Sequence, residues 1–204
     1  MNQSSPKRKT REEILELSAL LFAQRGYEGV SMRDVAAQVG ITPAALYYHF
    51  PDKDHLYVES VAQAFREQEE VLMRALGRPG SPWARLEAFV TDLARHLAAN
   101  RGFLRLMQWV QLDSDEARQH KLAESVFKPL FTALHALAKE LDPSRDPHLL
   151  AISIIGLVIF HFQTGNGHKF MPGYSASHDD PEVLARHVYR LLREAVGSPG
   201  EAPR

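Results

Sequence analysis

The sequence predicts an all-α protein, with a three-helix N-terminal helix-turn-helix domain followed by a larger helical C-terminal domain. Three observations carry this. Apolar residues recur at helical spacing throughout, and no segment alternates as a strand would. Thr42-Pro43, Ser81-Pro82, Asp146-Pro147 and Asp180-Pro181 repeat one start signal. In each, a side-chain cap precedes a proline at the first helical position, where a missing N–H is harmless. Gly26, Gly40 and the run Gly77-Arg78-Pro79-Gly80 supply the stops.

The first helix runs from Thr10 to Arg25, opened by a Thr10/Glu13 capping box and closed by Gly26. Ile14, Leu15, Ser18, Leu21 and Phe22 form its inner stripe. Residues 31–50 hold two short helices. Ser31 with Asp34 caps the first, Gly40 turns the chain, Thr42-Pro43 starts the second and Pro51 ends it. Such a layout is a helix-turn-helix. Leu15, Phe22, Val35, Val39, Ile41, Leu46 and Phe50 make a small core. A core of that size is marginal, so the three helices should lean on the next one. That helix, about residues 53–76, is ~36 Å long and joins the two domains.

Further helices are expected at about 82–99, 102–112, 116–141, 147–164 and 181–196, with Pro129 kinking the third. Gly165 to Ser177 reads as a loop. The helix at 147–164 is apolar nearly all round, so it is either fully buried or paired with a partner chain. With the stripe Val183, Leu184, Val188, Leu191 and Leu192, it could build a four-helix seam across a two-fold axis, giving a homodimer through helices 147–164 and 181–196.

Composition narrows the function. The 204 residues are 45% hydrophobic and 24% charged, as in a globular protein, and cysteine is absent, which removes disulfides and thiolate chemistry. The N-terminus lacks a secretory h-region, and Leu149–Phe162 is too short for a membrane span of ~20 residues, so a cytoplasmic setting is expected, without membrane contact. A net charge of −1 means that affinity for nucleic acid must be local. The basic run Lys7, Arg8, Lys9 within residues 1–10 is either a solvated tail or an arm that touches DNA.

One stretch carries more. Ile14-Leu15, Leu21-Phe22, Arg25-Gly26-Tyr27, Ser31 to Ala36, Val39-Gly40-Ile41 and Ala45-Leu46-Tyr47-Tyr48-His49-Phe50, followed by Asp52-Lys53 and Leu56, stand at fixed spacing. In this the chain resembles the tetracycline-repressor (TetR) family of bacterial transcription regulators over residues 8–68. Beyond that the likeness is one of layout. Ser18, where a small apolar residue is usual, and Pro51, in a usually polar loop, depart from the pattern.

The resemblance implies a DNA-binding domain at 8–68 and a ligand-binding and dimerisation domain at 69–197. It implies a homodimeric repressor whose recognition helices, 42–49, enter successive major grooves of a palindromic operator. A small-molecule effector would release the DNA; no cofactor is expected. By motif match, Ser31, Arg33, Thr42, Pro43, Ala44, Ala45, Tyr47, Tyr48, His49 and Lys53 face DNA. Thr42, Tyr47, His49 and Lys53 would hold phosphates, Arg33 a guanine or a phosphate, and Ala44 and Ala45 thymine methyls.

For the effector, Phe89, Phe103, Met107, Trp109, Gln111, Phe127, Phe131, His161 and Phe162 combine aromatic and polar groups as a pocket would, or else simply pack the core. An enzyme is disfavoured: His168, His178, Asp179 and Asp180 have no metal-ligand spacing, and no nucleophile or phosphate-loop motif occurs. An activator and a ligand-independent architectural factor are the alternatives.

Overall fold

The computed structural model describes residues 9–196. Lys7 and Arg8 of the basic run, and the outermost positions of the two expected domains, lie outside them. Among the described residues ten α-helices follow one another: α1 Arg11–Arg25, α2 Met32–Val39, α3 Pro43–His49, α4 Lys53–Gly77, α5 Pro82–Ala99, α6 Arg101–Leu112, α7 Glu116–Leu122, α8 Lys128–Leu141, α9 Pro147–Gln163 and α10 Pro181–Val196. No strand occurs among the described residues.

The start signals act as their chemistry requires. Thr10 Oγ1 accepts from the Glu13 N–H at 3.2 Å while Glu13 accepts from the Thr10 N–H at 2.9 Å. Ser31 and Asp34 repeat this reciprocal cap, and Thr42, Ser81 and Asp146 each accept from a first-turn N–H. Asp52 does the same for α4, through the His55 N–H at 2.8 Å.

Pro129 does more than kink a helix. It has no N–H and crowds the carbonyl four residues back, that of Ser125. The chain opens into a π turn at Ala123–Phe127, so the expected 116–141 helix becomes α7, the turn and α8. The loop after α9 is not featureless: it holds 3₁₀ turns at Gly165–Phe170 and Ala176–Asp179.

Contacts divide the chain into two compact units, and not by a single cut near residue 68. The first unit takes residues up to Glu67 and also Arg105–Val126; the second takes Gln68–Leu104 and Phe127 onward. In the first, Ile14, Phe22, Val35, Leu46 and Phe50 are buried with Leu56, Tyr57 and Val61 of α4. Each such large apolar side chain contributes about 1.5–3 kcal/mol by leaving water. Ser18 fits this core because its hydroxyl donates to the Ile14 carbonyl at 2.6 Å.

In the second unit α10 packs on α5, and α9 on α8 and α5. Leu86, Phe89, Val90, Leu134, Leu137, Ile154, Val158 and Val188 fill the centre. Ion pairs from Arg85 to Glu140 and from Arg95 to Glu182 fasten α5 to α8 and α10.

Candidate nucleic-acid interface

Within the first unit, α2 and α3 show how one short sequence separates a packing side from a reading side. Met32, Val35, Ala36 and Val39 turn inward from α2, and Leu46 from α3. Ser31 and Arg33 remain exposed, as do Thr42, Pro43, Ala44, Ala45, Tyr47 and Tyr48. Tyr48 is 79% exposed and Tyr47 52%, which is unusual for large aromatics with no task at a surface. His49 is half-buried, its ring between those of Tyr48, at 5.5 Å, and Phe50, at 6.3 Å.

The hydroxyls are partly committed. Ser31 Oγ donates to the Asp34 carboxylate and accepts the Asp34 N–H, which holds Asp34 below the usual carboxylate range. Thr42 Oγ1 accepts from the Ala45 N–H at 3.2 Å and keeps its own O–H as a donor for an anion. Of the described basic residues near the N-terminus, Lys9 pairs with Glu13 at 3.7 Å, and Arg11 pairs with Glu59 and lies 4.7 Å from the Phe50 ring centre.

Lys53 is engaged inside the protein. Its ammonium donates to the Tyr27 carbonyl at 2.9 Å and sits 3.9 Å from the centre of the Tyr27 ring. Two of its three N–H donors remain for other partners. Tyr27 is the hub of a cluster that reasoning from the sequence missed. Its hydroxyl donates to Asp54, and Asp54 Oδ1 also accepts from Arg118 Nη1 at 3.0 Å. Arg118 grips Asp113 with two bonds, Nε at 2.5 Å and Nη2 at 2.8 Å, and its guanidinium carbon lies 3.6 Å from the Tyr27 ring centre.

The Arg118 and Asp113 side chains are 8% and 6% exposed. Asp113 is held low by its bonds from Arg118, and Asp54 by the Tyr27 hydroxyl and then Arg118. Burial, then the bond to Asp54, raises the Tyr27 phenol far above its ordinary value. Tyr57 is pushed up to about 12 by burial, and its hydroxyl has no hydrogen-bond partner among the described residues. No local spacing signals such a cluster, since Asp54 and Arg118 are 64 residues apart.

The nine residues considered for an effector divide between the units. Met107, Trp109 and Gln111 belong to the first, the other six to the second. Trp109 is 40% exposed and His161 also faces solvent, so neither carries the burial that would make it demand a polar partner. The Trp109 ring lies against Gly26, where a Cβ would come within 2.7 Å of it. In the second unit Phe89 and Phe103 are buried, Phe103 beside His96, while Phe131 stands against His148. His161 Nδ1 is 2.9 Å from the Leu157 carbonyl. Phe127 and Phe162 are half-buried. An open groove of about 260 Å³ on α5, lined by Arg78, Glu87, Thr91, Asp92 and Arg95 among others, includes none of the nine. Among the described residues no group of three or more acidic or histidine side chains is placed to hold a metal ion, and no helix is long and apolar enough to cross a membrane.

Within the first unit, α2 and α3 with their small, polar and aromatic outer face have the layout of a helix-turn-helix module. Comparison with known proteins shows what the chain is similar to. The family described as "Bacterial regulatory proteins, tetR family" matches residues 14–59, so the helix-turn-helix segment is similar to that family. It is 33% identical over 97 residues to the HTH-type transcriptional repressor KstR of Mycolicibacterium smegmatis, 48% of each chain, so the match spans about half the length of that relative. Its fold is similar to that of the transcriptional regulator FadR from Bacillus subtilis in complex with stearoyl-CoA. The TM-score is 0.75 at 17% identity, covering 90% of this chain and 97% of that one. It is also similar to AibR in complex with isovaleryl coenzyme A and operator DNA, with a TM-score of 0.68 at 22% identity, covering 89% and 97%.

Proposed function

We propose that this protein is a ligand-responsive, non-catalytic repressor that binds a palindromic operator as a homodimer. The observation that carries the reading is the outer face of α2 and α3. Arg33, Thr42, Ala44, Ala45, Tyr47 and Tyr48 stand free of the core on a helix pair whose inner face is fully spent on packing. Small side chains at Ala44 and Ala45 permit close approach to base edges, while Thr42, Tyr47, His49 and Lys53 supply phosphate donors. DNA-bound AibR and the repressor KstR support the same reading.

Dimerisation is supported by α9. Its inner residues Leu150, Ala151, Ile154 and Val158 are buried, yet Leu149, Ile152 and Phe160 are 64%, 51% and 64% exposed. These follow helical spacing with Ser153 and Gly156, and a Cβ on Gly156 would meet nothing within 4 Å. Leu191 on α10 is exposed as well, at 42%. An apolar stripe with a glycine in its middle suits a second copy of the same helix in close approach. The effector is proposed to be an acyl-coenzyme A thioester, on the strength of the ligands held by FadR and AibR. Its binding would favour dimers whose recognition helices no longer match the ~34 Å groove repeat.

The test is selection of binding sites from random DNA with the purified protein at stated salt. One enriched palindrome is expected. No enrichment after refolding to strip ligand would refute operator recognition. A reporter carrying the selected site should be silenced by the protein, and activation instead would reverse the sign. Acyl-coenzyme A thioesters of graded chain length should release the operator; indifference to all of them excludes that ligand class.

A further inference from the structure

We propose that Arg118 is a positioning residue for DNA recognition, fixing from α7 both chain segments that flank the helix-turn-helix. The proposal rests on the operator-binding reading above. One flank is the turn between α1 and α2, where Tyr27 stands four residues before the Ser31 cap. The other is the start of α4, where Lys53 and Asp54 follow the recognition helix.

Tyr27 and α4 are tied to each other twice. The Tyr27 hydroxyl donates to Asp54, and the Tyr27 carbonyl accepts from Lys53 at 2.9 Å. Arg118 sets the orientation of this joint. All three of its nitrogens donate: Nε and Nη2 to Asp113, Nη1 to the Asp54 oxygen that Tyr27 also uses. The fork on Asp113 fixes the plane of the guanidinium, and that plane lies against the Tyr27 ring.

The Arg118–Asp113 pair is buried, with Asp54 half-exposed beside it. Such a pair stabilises poorly compared with apolar packing of the same volume, but it restricts how its members can be arranged. Here the arrangement it admits is the spacing between the turn before α2 and the residue after α3. Removing the guanidinium leaves Asp113 buried without its partner and frees Asp54, so Tyr27 and Lys53 lose their common reference. The recognition helix would then sample orientations that miss the base edges, without unfolding.

The experiment measures the affinity of the full-length protein for its selected operator at fixed salt, together with thermal stability and oligomeric state. Arg118→Met and Asp54→Asn are each expected to weaken operator binding about tenfold or more, a difference of 1.4 kcal/mol per tenfold. The double variant should be no more than about twofold weaker than the worse single one, because both break one unit. Arg118→Lys should recover part of the affinity, since an ammonium reaches a carboxylate but cannot form the fork. Leu122→Ala, which removes a buried side chain from the same helix, should lower the melting temperature yet leave affinity within about twofold.

Wild-type affinity in Arg118→Met overturns the proposal, as do additive losses in the double variant or an equal loss in Leu122→Ala. If Arg118→Met does not fold, Asp54→Asn decides the matter by itself, and unchanged affinity there is equally fatal. A wild-type protein that binds no operator overturns the functional reading and this inference together, and is seen before any variant is made.

Discussion

Gly26 is asked to do two things at once. Its φ of +69° closes α1, and its missing Cβ leaves room for the Trp109 ring, which a methyl would meet at 2.7 Å. Gly26→Ala is therefore expected to destabilise the fold by about 1–3 kcal/mol in urea titrations. Trimming the ring as well, in Gly26→Ala/Trp109→Ala, should not restore full stability, because the backbone strain persists. Asp54 and Asp113 give a second residue-scale expectation. Both carboxyls are held below their ordinary values, so their stabilisation is complete above the unfolded value of about 3.9 and is lost as pH falls through the lower folded values. Denaturant titrations between about pH 5 and pH 2.5 should show this acid loss, and Asp113→Asn should flatten it.

At the scale of elements, the helices were largely legible because their ends are local chemistry. Thr10 with Glu13, Ser31 with Asp34, and the Thr42, Ser81 and Asp146 starts each sit within three residues of the N–H they satisfy. The outer face of the helix-turn-helix was named from the resemblance to the TetR family instead, and the exposure of Arg33, Thr42, Tyr47 and Tyr48 is what the structure adds. The π turn was not legible, since a proline announces a break but not the geometry that relieves it. Helix α9 lay between these cases: its apolar composition was plain, but which face stays uncovered depends on how α8 and α5 approach it. That face makes a sharp expectation. Ile152→Glu should convert a dimer to a monomer in sedimentation experiments while leaving helicity intact, because half of that side chain already faces water in the single chain. A dimer that survives the change would move the interface elsewhere.

For the molecule as a whole, charge is nearly balanced at −1, so DNA affinity must come from a few well-placed cations. Lys53→Met should weaken binding to every sequence alike and lower the salt slope by about 1 if its ammonium neutralises one phosphate. An unchanged slope in salt titrations would restrict Lys53 to its bond with Tyr27. What the sequence concealed at this scale was membership. Segment 105–126 belongs with the N-terminal helices because Arg118 meets Asp54 and Trp109 meets Gly26 across long stretches of chain, and periodicity along a helix carries no record of such meetings.

That interleaving has a consequence for biosynthesis. When a ribosome has released the first 68 residues, the helix-turn-helix is present in sequence, but Tyr27, Asp54 and the buried end of α4 still lack the guanidinium and the α6–α7 surface that complete their unit. Domains generally fold as they emerge. Here the N-terminal unit is completed by residues of α6 and α7, so a nascent chain that still lacks them also lacks the Asp54–Arg118 and Gly26–Trp109 contacts.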